Sequence, residues 1–375
     1  MLMKHKKQSK IDLSLVGKII GKIGLYIITF VLIIGLSLFG AIKIIVLGSE
    51  ASRNTFITTV LETGQLKFLA SIALSDEQIE EVIAQNSMKD MDNADIDEEL
   101  IKPIFNSAGD GTIIDADYAA MPDIEIVEIA GLTYKGTLMI VKNPADVSVA
   151  TIHKGGGKWP SLGITLEEMV KRENAIGAIN AGLYSSNNNS GGYPFGTVVS
   201  KGEIVRNIPN EWPGLVLVGL TEDNILQIID ISRMSAGQVK NMINERKIRD
   251  AVCFQEDASV DNNHFVQLII NGTPRNVTGS GSGLNPRTAI GQRADGTLLL
   301  LVTDGRGSNS HAGASAADLI DIMTRFGAVN AANLDGGSST CMYYNGKYLQ
   351  NSVTFYYSQT SWRLPFAFVV KQGDK

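Results

Sequence analysis

From Gly24 to Ile42 the chain runs for nineteen residues without a charge, and beyond Lys43 the apolar run resumes through Leu47. At about 1.5 Å per residue a helix of that length crosses the ~30 Å hydrocarbon layer of a bilayer. It is apolar on every face, which a helix packed on one side of a soluble core is not. A secretory signal fits less well, because its apolar stretch is only about 7–15 residues, although Ser49-Glu50-Ala51 weakly resembles a cleavage site. Lys43 is expected to stretch its stem toward the interface. The spacing then becomes that of helices with two unlike faces. Thr55 to Ala73 mixes apolar and polar positions at helical spacing, and Ser75-Asp76-Glu77-Gln78 forms a capping box ahead of Ile79, Val82 and Ile83 on one face.

Past residue 109 the pattern turns to strands with a few helices. Ile124 to Ile129 alternates with period two, and Leu138–Val141 and Val147–Ala150 continue in that manner. Thr165-Leu166-Glu167-Glu168 opens a short helix ending at Glu173, and Ala175–Gly182 reads as a strand of small apolar residues that ends in Asn180. Ser235-Ala236-Gly237-Gln238 starts another helix. Thr297–Thr303 is continuously apolar, as a strand covered on both faces is, and stops at Asp304-Gly305-Arg306. A helix begins at Ser315, with Leu319, Ile320, Met323 and Phe326 on one side and Gly327 closing it. Val329–Leu334 is the next strand and ends in Asp335-Gly336-Gly337-Ser338-Ser339. Strand, helix and strand within some forty residues predict a βαβ unit with two parallel strands. Ligands of open α/β sheets bind beyond the carboxyl ends of such strands, so Asp304 and Asp335 are expected at one crevice. The fold class is therefore α/β, a mixed sheet with a parallel βαβ unit, preceded by one transmembrane helix.

Charge refines the picture. The net charge is −6, but residues 1–22 hold six lysines against Asp12, while residues 75–100 hold ten acids against Lys89. The lysines ahead of the apolar run place the N-terminus in the cytoplasm and the residues after Leu47 outside. The domains expected are a basic cytoplasmic tail (1–22), a transmembrane helix (23–47), a helical acidic stalk (48–108) that spaces the rest from the bilayer, and a catalytic domain (109–375). The acidic run Asp90–Glu99 reads as a solvated face, since it lacks the spacing and central glycine of an EF-hand. A negative chain does not suit a nucleic-acid backbone. Two Cys and four His cannot build a zinc module, and 44% apolar residues exclude wholesale disorder. An oxidising exterior permits a Cys253–Cys341 disulfide, although lone Cys residues on apolar strands are more often small buried hydrophobes.

Candidate chemistry gathers at the strand ends. Glycine after each Asp permits a tight turn and exposed backbone N–H groups, though Asp-Gly is also an ordinary turn. Arg287 comes directly after Pro286 at the mouth of a strand, where its guanidinium can fork onto a phosphate or make a surface ion pair. His311, in the loop after Asp304, is a candidate proton shuttle or substrate contact against a solvated loop histidine. Trp159, Trp212 and Tyr184 could stack on sugar faces, and only Tyr184, beside Asn180, is singled out. Asp304, Asp335 and Asn180 are also hard oxygen donors, so a Ca²⁺ or Mg²⁺ site stays open beside direct carboxylate catalysis.

Asn180-Ala181-Gly182-Leu183-Tyr184, Asn285-Pro286-Arg287-Thr288-Ala289-Ile290-Gly291, Thr303-Asp304-Gly305-Arg306 and Asn333-Leu334-Asp335-Gly336-Gly337-Ser338-Ser339-Thr340 occur in that order. This series resembles the phosphodiester glycosidase family over about 130–375. The family includes N-acetylglucosamine-1-phosphodiester alpha-N-acetylglucosaminidases and bacterial exopolysaccharide-associated surface proteins. The resemblance implies hydrolysis of a sugar joined through its anomeric carbon to a phosphodiester, with a cell-surface glycan or sugar-phosphate polymer as partner. It implies a pocket lined by Asn180, Arg287, Asp304, Arg306, Asp335 and the Gly336-Gly337-Ser338 turn. A phosphate leaving group then calls for Asp304 and Asp335 as catalytic carboxylates, with Arg287, Arg306 and the Gly336-Gly337 amides taking the phosphate, and Tyr184 and His311 join as substrate contacts on the residue reading above. Two departures stand out: Gln255-Glu256-Asp257-Ala258-Ser259 replaces a Gly-Pro step, and Ser338 stands where a third glycine is frequent. The alternatives are a non-catalytic module that binds an anionic glycan and a metal-dependent phosphodiesterase.

Overall fold

The structure is a computed structural model that describes residues 13–63, 66–91, 95–102, 118, 120–155, 157–257, 264–353 and 359–372. The tail before Leu13, with four of the six N-terminal lysines, lies outside these residues, as does the expected boundary at 108/109. Three sheets make up the body. The largest runs β1 (Ile124–Ala130), β2 (Lys135–Val141), β15 (Leu298–Thr303), β14 (Thr288–Arg293), β16 (Ala328–Asn333), β12 (Gln267–Ile270), β13 (Thr273–Pro274). The second runs β10 (Leu226–Asp230), β9 (Leu215–Thr221), β11 (Ile248–Gln255), β7 (Thr197–Ser200), β8 (Glu203–Asn207). The third runs β18 (Lys347–Gln350), β17 (Met342–Tyr344), β4 (Gly177–Asn180), β19 (Phe366–Val370), β3 (Val147–Thr151). A small ribbon pairs β5 (Tyr184–Ser185) with β6 (Tyr193–Pro194).

The expected βαβ unit is present in split form. β14 lies between β15 and β16 and is antiparallel to both, so the two outer strands point the same way without being hydrogen-bonded to each other. The physical reason lies in β15, whose residues alternate between two cores. Leu298, Leu300 and Val302 pack between the sheets, while Leu299 and Leu301 pack under the helix Ala316–Arg325 with Leu319, Ile322 and Met323. Continuous apolarity records coverage of both faces and is silent about strand direction. That helix carries the expected stripe, and its N-cap Ser315 makes a capping box with Asp318. The consequence for function is that the ends of β15 and β16 share one sheet edge.

Helix α1 (Leu13–Gly48) is long and apolar enough to cross a membrane by length and composition. Next come α2 (Glu50–Leu61), α3 (Phe68–Ala73) and α4 (Asp76–Gln85), the last with the predicted capping box. Ile42 and Val46, near the end of α1, pack with Ile57, Leu61, Ala70 and Val82 in a separate small core. Lys43 donates to the carbonyl of Ala73 at 3.0 Å, a partner that the expectation of a stem reaching for the interface did not include.

Within the segment expected as a stalk, described residues between Thr59 and Lys102 are hydrogen-bonded to loops of the later sheets. Thr59 Oγ1 accepts from the amide of Leu284 (3.1 Å), Asn86 Oδ1 from the hydroxyl of Ser280 (3.3 Å), and the amide of Lys89 donates to Asn276 O (3.0 Å). Asp95 pairs with Arg246, Gln227 donates to Glu98 at 2.8 Å, and the amide of Lys102 donates to Ala294 O at 2.8 Å. The part of the acidic run that is described thus serves partly as a docking strip. Acidic composition gave no sign of this, because the partners, the side chains of Arg246, Gln227 and Asn271, lie far along the chain.

Candidate active site

The loops after β15 and β16 meet. Arg306 Nη1 donates to Ser338 Oγ at 2.9 Å, and Arg306 Nε donates to Asn285 Oδ1 at 3.3 Å. β4 ends at the same place: the amide of Asp335 donates to Ala181 O (3.0 Å), and Asn180 Nδ2 donates to Asp335 O (2.6 Å). The loop 304–312 is closed by Arg306 N to Ala312 O (3.0 Å) and Gly307 N to His311 O (2.8 Å). Arg306, Asn309 and Ser310 in it have φ of 54°, 51° and 66°. Non-glycine residues in that region cost on the order of 1 kcal/mol each and are concentrated at functional sites.

Asp304 is 1% exposed and both its oxygens are taken. Oδ1 accepts from the amide of Lys135 (2.7 Å), and Oδ2 lies 2.7 Å from His311 Nδ1 and accepts from Asn309 Nδ2 (3.2 Å). A carboxylate so enclosed cannot present an open oxygen to a sugar. Its geometry is that of an orienting group that fixes the His311 ring with Nδ1 as donor and leaves Nε2 as the nitrogen available to a ligand. Of the two expected catalytic carboxylates, Asp304 is thus the one placed to orient His311.

Asp335 is different. Burial pushes its carboxyl from the ordinary 3.8 up to about 7, only partly offset by the Ser339 hydroxyl, the Gly336 amide and the Arg306 guanidinium. A group whose folded pKa is raised contributes stability that is fully present below the unfolded value and is lost as pH rises through the folded one. Asp335→Asn, a neutral isostere, is therefore expected to melt above the parent protein at about pH 8, with the gap closing toward about pH 4. Thermal unfolding tracked by circular dichroism at both pH values checks this; an equal gap at both contradicts it.

Arg287 is not where a phosphate ligand belongs. Its Nη2 is 2.6 Å from Glu62 Oε2 and also donates to Gly283 O (2.7 Å) and Ser282 Oγ (3.1 Å), while Nε donates to Ala314 O (3.2 Å). The guanidinium also lies 4.9 Å over the Phe265 ring. The Gly336-Gly337 amides are spoken for as well, since Gly337 N donates to Pro286 O (2.8 Å) and Gly336 N to Asp335. Gly337 has φ of 60°, and a Cβ there would stand 2.6 Å from Arg306 Nη2, so the glycine makes room for that guanidinium. Arg306, by contrast, is exposed at this edge, where its guanidinium is held by Asn285 and Ser338.

Two more expected contacts are structural. Asn180 is 1% exposed, and its Oδ1 accepts from Thr288 Oγ1 (2.7 Å) and the amide of Cys341 (3.1 Å). Tyr184 is buried and shares a 3.0 Å hydrogen bond with Ser339, so it offers no face to a sugar but steadies the serine that touches Asp335. The side-chain oxygens of Asp304 and Asn180 are all hydrogen-bonded, and among the described residues no three His, Cys, Asp or Glu side chains gather as a set of metal ligands. Cys253 and Cys341 are buried free thiols, each pushed up by burial. Glu62, Asn285, Asn309 and Ser339 were missed by sequence reasoning. Glu62 carried one faint signal: it is the single acid between Thr55 and Ala73.

The family model for phosphodiester glycosidase matches residues 173–371. A stretch of 67 residues is 45% identical to the SPbeta prophage-derived uncharacterized protein YomE of Bacillus subtilis (strain 168), covering 18% of this chain and 10% of that protein. The chain thus spans about a tenth of the length of that relative. Among solved structures, the zebrafish N-acetylglucosamine-1-phosphodiester alpha-N-acetylglucosaminidase catalytic domain, auto-inhibited by pro-peptide, is similar in fold. Its TM-score is 0.50 at 20% identity, over 68% of this chain and 85% of that one. A hypothetical protein from Synechocystis matches with a TM-score of 0.42 at 19% identity, over 66% of this chain and 61% of that one.

Proposed function

This chain belongs to the phosphodiester glycosidase family, and we propose that it hydrolyses the bond between the anomeric carbon of a sugar and a phosphodiester oxygen, outside the cell and tethered by α1. The observation that carries the reading is the meeting of the two Asp loops, with Arg306 held against Ser338 beside a carboxyl poised near neutrality. A phosphate leaving group departs as an anion and needs little protonation. The site's tasks are then to favour a cation-like sugar and to hold the departing charge. Asp335, ionised, faces the anomeric carbon and takes a proton from the attacking water. Its raised pKa makes it a better base than an ordinary carboxylate. As the water oxygen bonds to carbon, the C–O bond breaks and its electron pair leaves with the phosphate, which Arg306 receives. His311, steadied by Asp304, contacts the sugar or relays the proton to solvent through Nε2. The anchor is supported by the length of α1 and the lysines before it, and a surface glycan bearing glycosyl phosphate suits that location.

Hydrolysis in ¹⁸O water tests this directly. Label is expected in the sugar hydroxyl, and label in the phosphate would mean P–O cleavage and the end of the proposal.

A further inference from the structure

We propose that Glu62, in the membrane-proximal helical segment, is a positioning residue of this site: it neutralises Arg287 and sets the Ser282–Arg287 loop so that Arg306 alone meets the phosphate. This role rests on the glycosidase reading for its kinetic arm and on geometry for the rest. The Glu62 side chain is 4% exposed, and three donors of one loop converge on its carboxylate: Gly283 N (2.6 Å), Asn285 Nδ2 (2.9 Å) and Arg287 Nη2 (2.6 Å). Asn285 then passes the constraint on, because its Oδ1 accepts from Arg306 Nε (3.3 Å) and Arg306 reaches Ser338 beside Asp335. The helix backbone and the loop are in close contact, since a Cβ on Gly283 would lie 2.5 Å from Thr58 O.

Two arrangements would place a carboxylate on this arginine, a removable plug or a permanent part. The stitching favours permanence. Beyond Glu62, the segment is tied to the sheets at Thr59, Ser87, Lys89, Asp97 and Lys102, so withdrawing it would break bonds spread over more than forty residues. It would also strand a buried guanidinium, and removing one partner of a buried ion pair is strongly destabilising. The charge arithmetic agrees with the active-site assignment. With Glu62 in place Arg287 is cancelled, and the anion is drawn to the exposed Arg306 instead of a deeper, unproductive position.

The test uses the full chain with Glu62→Gln, Glu62→Asp and Glu62→Ala. With a synthetic glycosyl phosphodiester, the Ala variant is expected to lose about tenfold to a hundredfold in kcat with KM unchanged or lower, the cost of a misplaced group. The Asp variant, which keeps the charge, recovers part of the loss. A rise in kcat/KM would overturn the proposal and make the segment a plug. Unchanged kcat and KM alongside a lowered melting temperature would overturn it too, leaving a purely structural role. Inorganic phosphate, measured by calorimetry, gives an arm that does not depend on turnover. Releasing Arg287 in the Gln variant is expected to tighten phosphate binding severalfold, and an unchanged affinity contradicts the proposal. If the parent protein hydrolyses no glycosyl phosphodiester, the functional reading fails while this second arm still decides the role of Glu62.

Discussion

Asp335→Asn is expected to reduce kcat for glycosyl phosphodiester hydrolysis by about 10²–10⁴-fold, the usual contribution of one positioned acid–base group. Asn fills the same space and can still take the Gly336 amide and the Ser339 hydroxyl, so the turn built on Gly337 should persist. It cannot, however, accept the proton of the attacking water. Phosphate binding through Arg306 should accordingly survive, and calorimetry with inorganic phosphate separates the two effects. A variant that loses binding and turnover together would show that Asp335 builds the pocket and does not run the reaction.

The second large effect is expected at His311 and Asp304, which are hydrogen-bonded to each other at 2.7 Å. His311→Ala should lower kcat/KM by about 10²–10³-fold, within the span of general acid–base groups. Asp304→Asn should cost nearly as much, because an amide in that position can turn its NH₂ toward Nδ1 and favour the wrong imidazole tautomer. The double variant should be little worse than either single one. Non-additivity of that kind marks residues that act as one device. Additive losses would mean that Asp304 has a role of its own, against its enclosure by Lys135 N, Asn309 and His311.

Local features were readable in the sequence for physical reasons. The capping boxes at Ser75, Thr165 and Ser235 are contained within four residues each, and all three are present. The helix after Ser315 and the both-face burial of β15 come from periodicity alone. Co-location of the two Asp loops came from the shared direction of β15 and β16, and it survives the insertion of β14 between them. Partners that depend on long-range meeting were not readable. Arg287 and Glu62 are 225 residues apart, and nothing near either announces the other. Nor could the occupancy of the Gly337 amide by Pro286 O be seen, because Asp-Gly-Gly spells the capacity for a turn and not the direction of its N–H groups. The docking of the acidic segment onto later loops was unreadable for the same reason, since partners such as Arg246, Asn271 and Ser280 lie more than 150 residues away.

The pH dependence of kcat/KM for a glycosyl phosphodiester, set beside the NMR titration of the Asp335 carboxyl carbon in the free protein, is the most direct measurement. Activity should rise with pH through a midpoint near 7 that coincides with the titration of that carbon. A carboxyl that titrates near the ordinary 3.8, or a rate that stays level through the region where Asp335 ionises, would contradict the assignment of the working base.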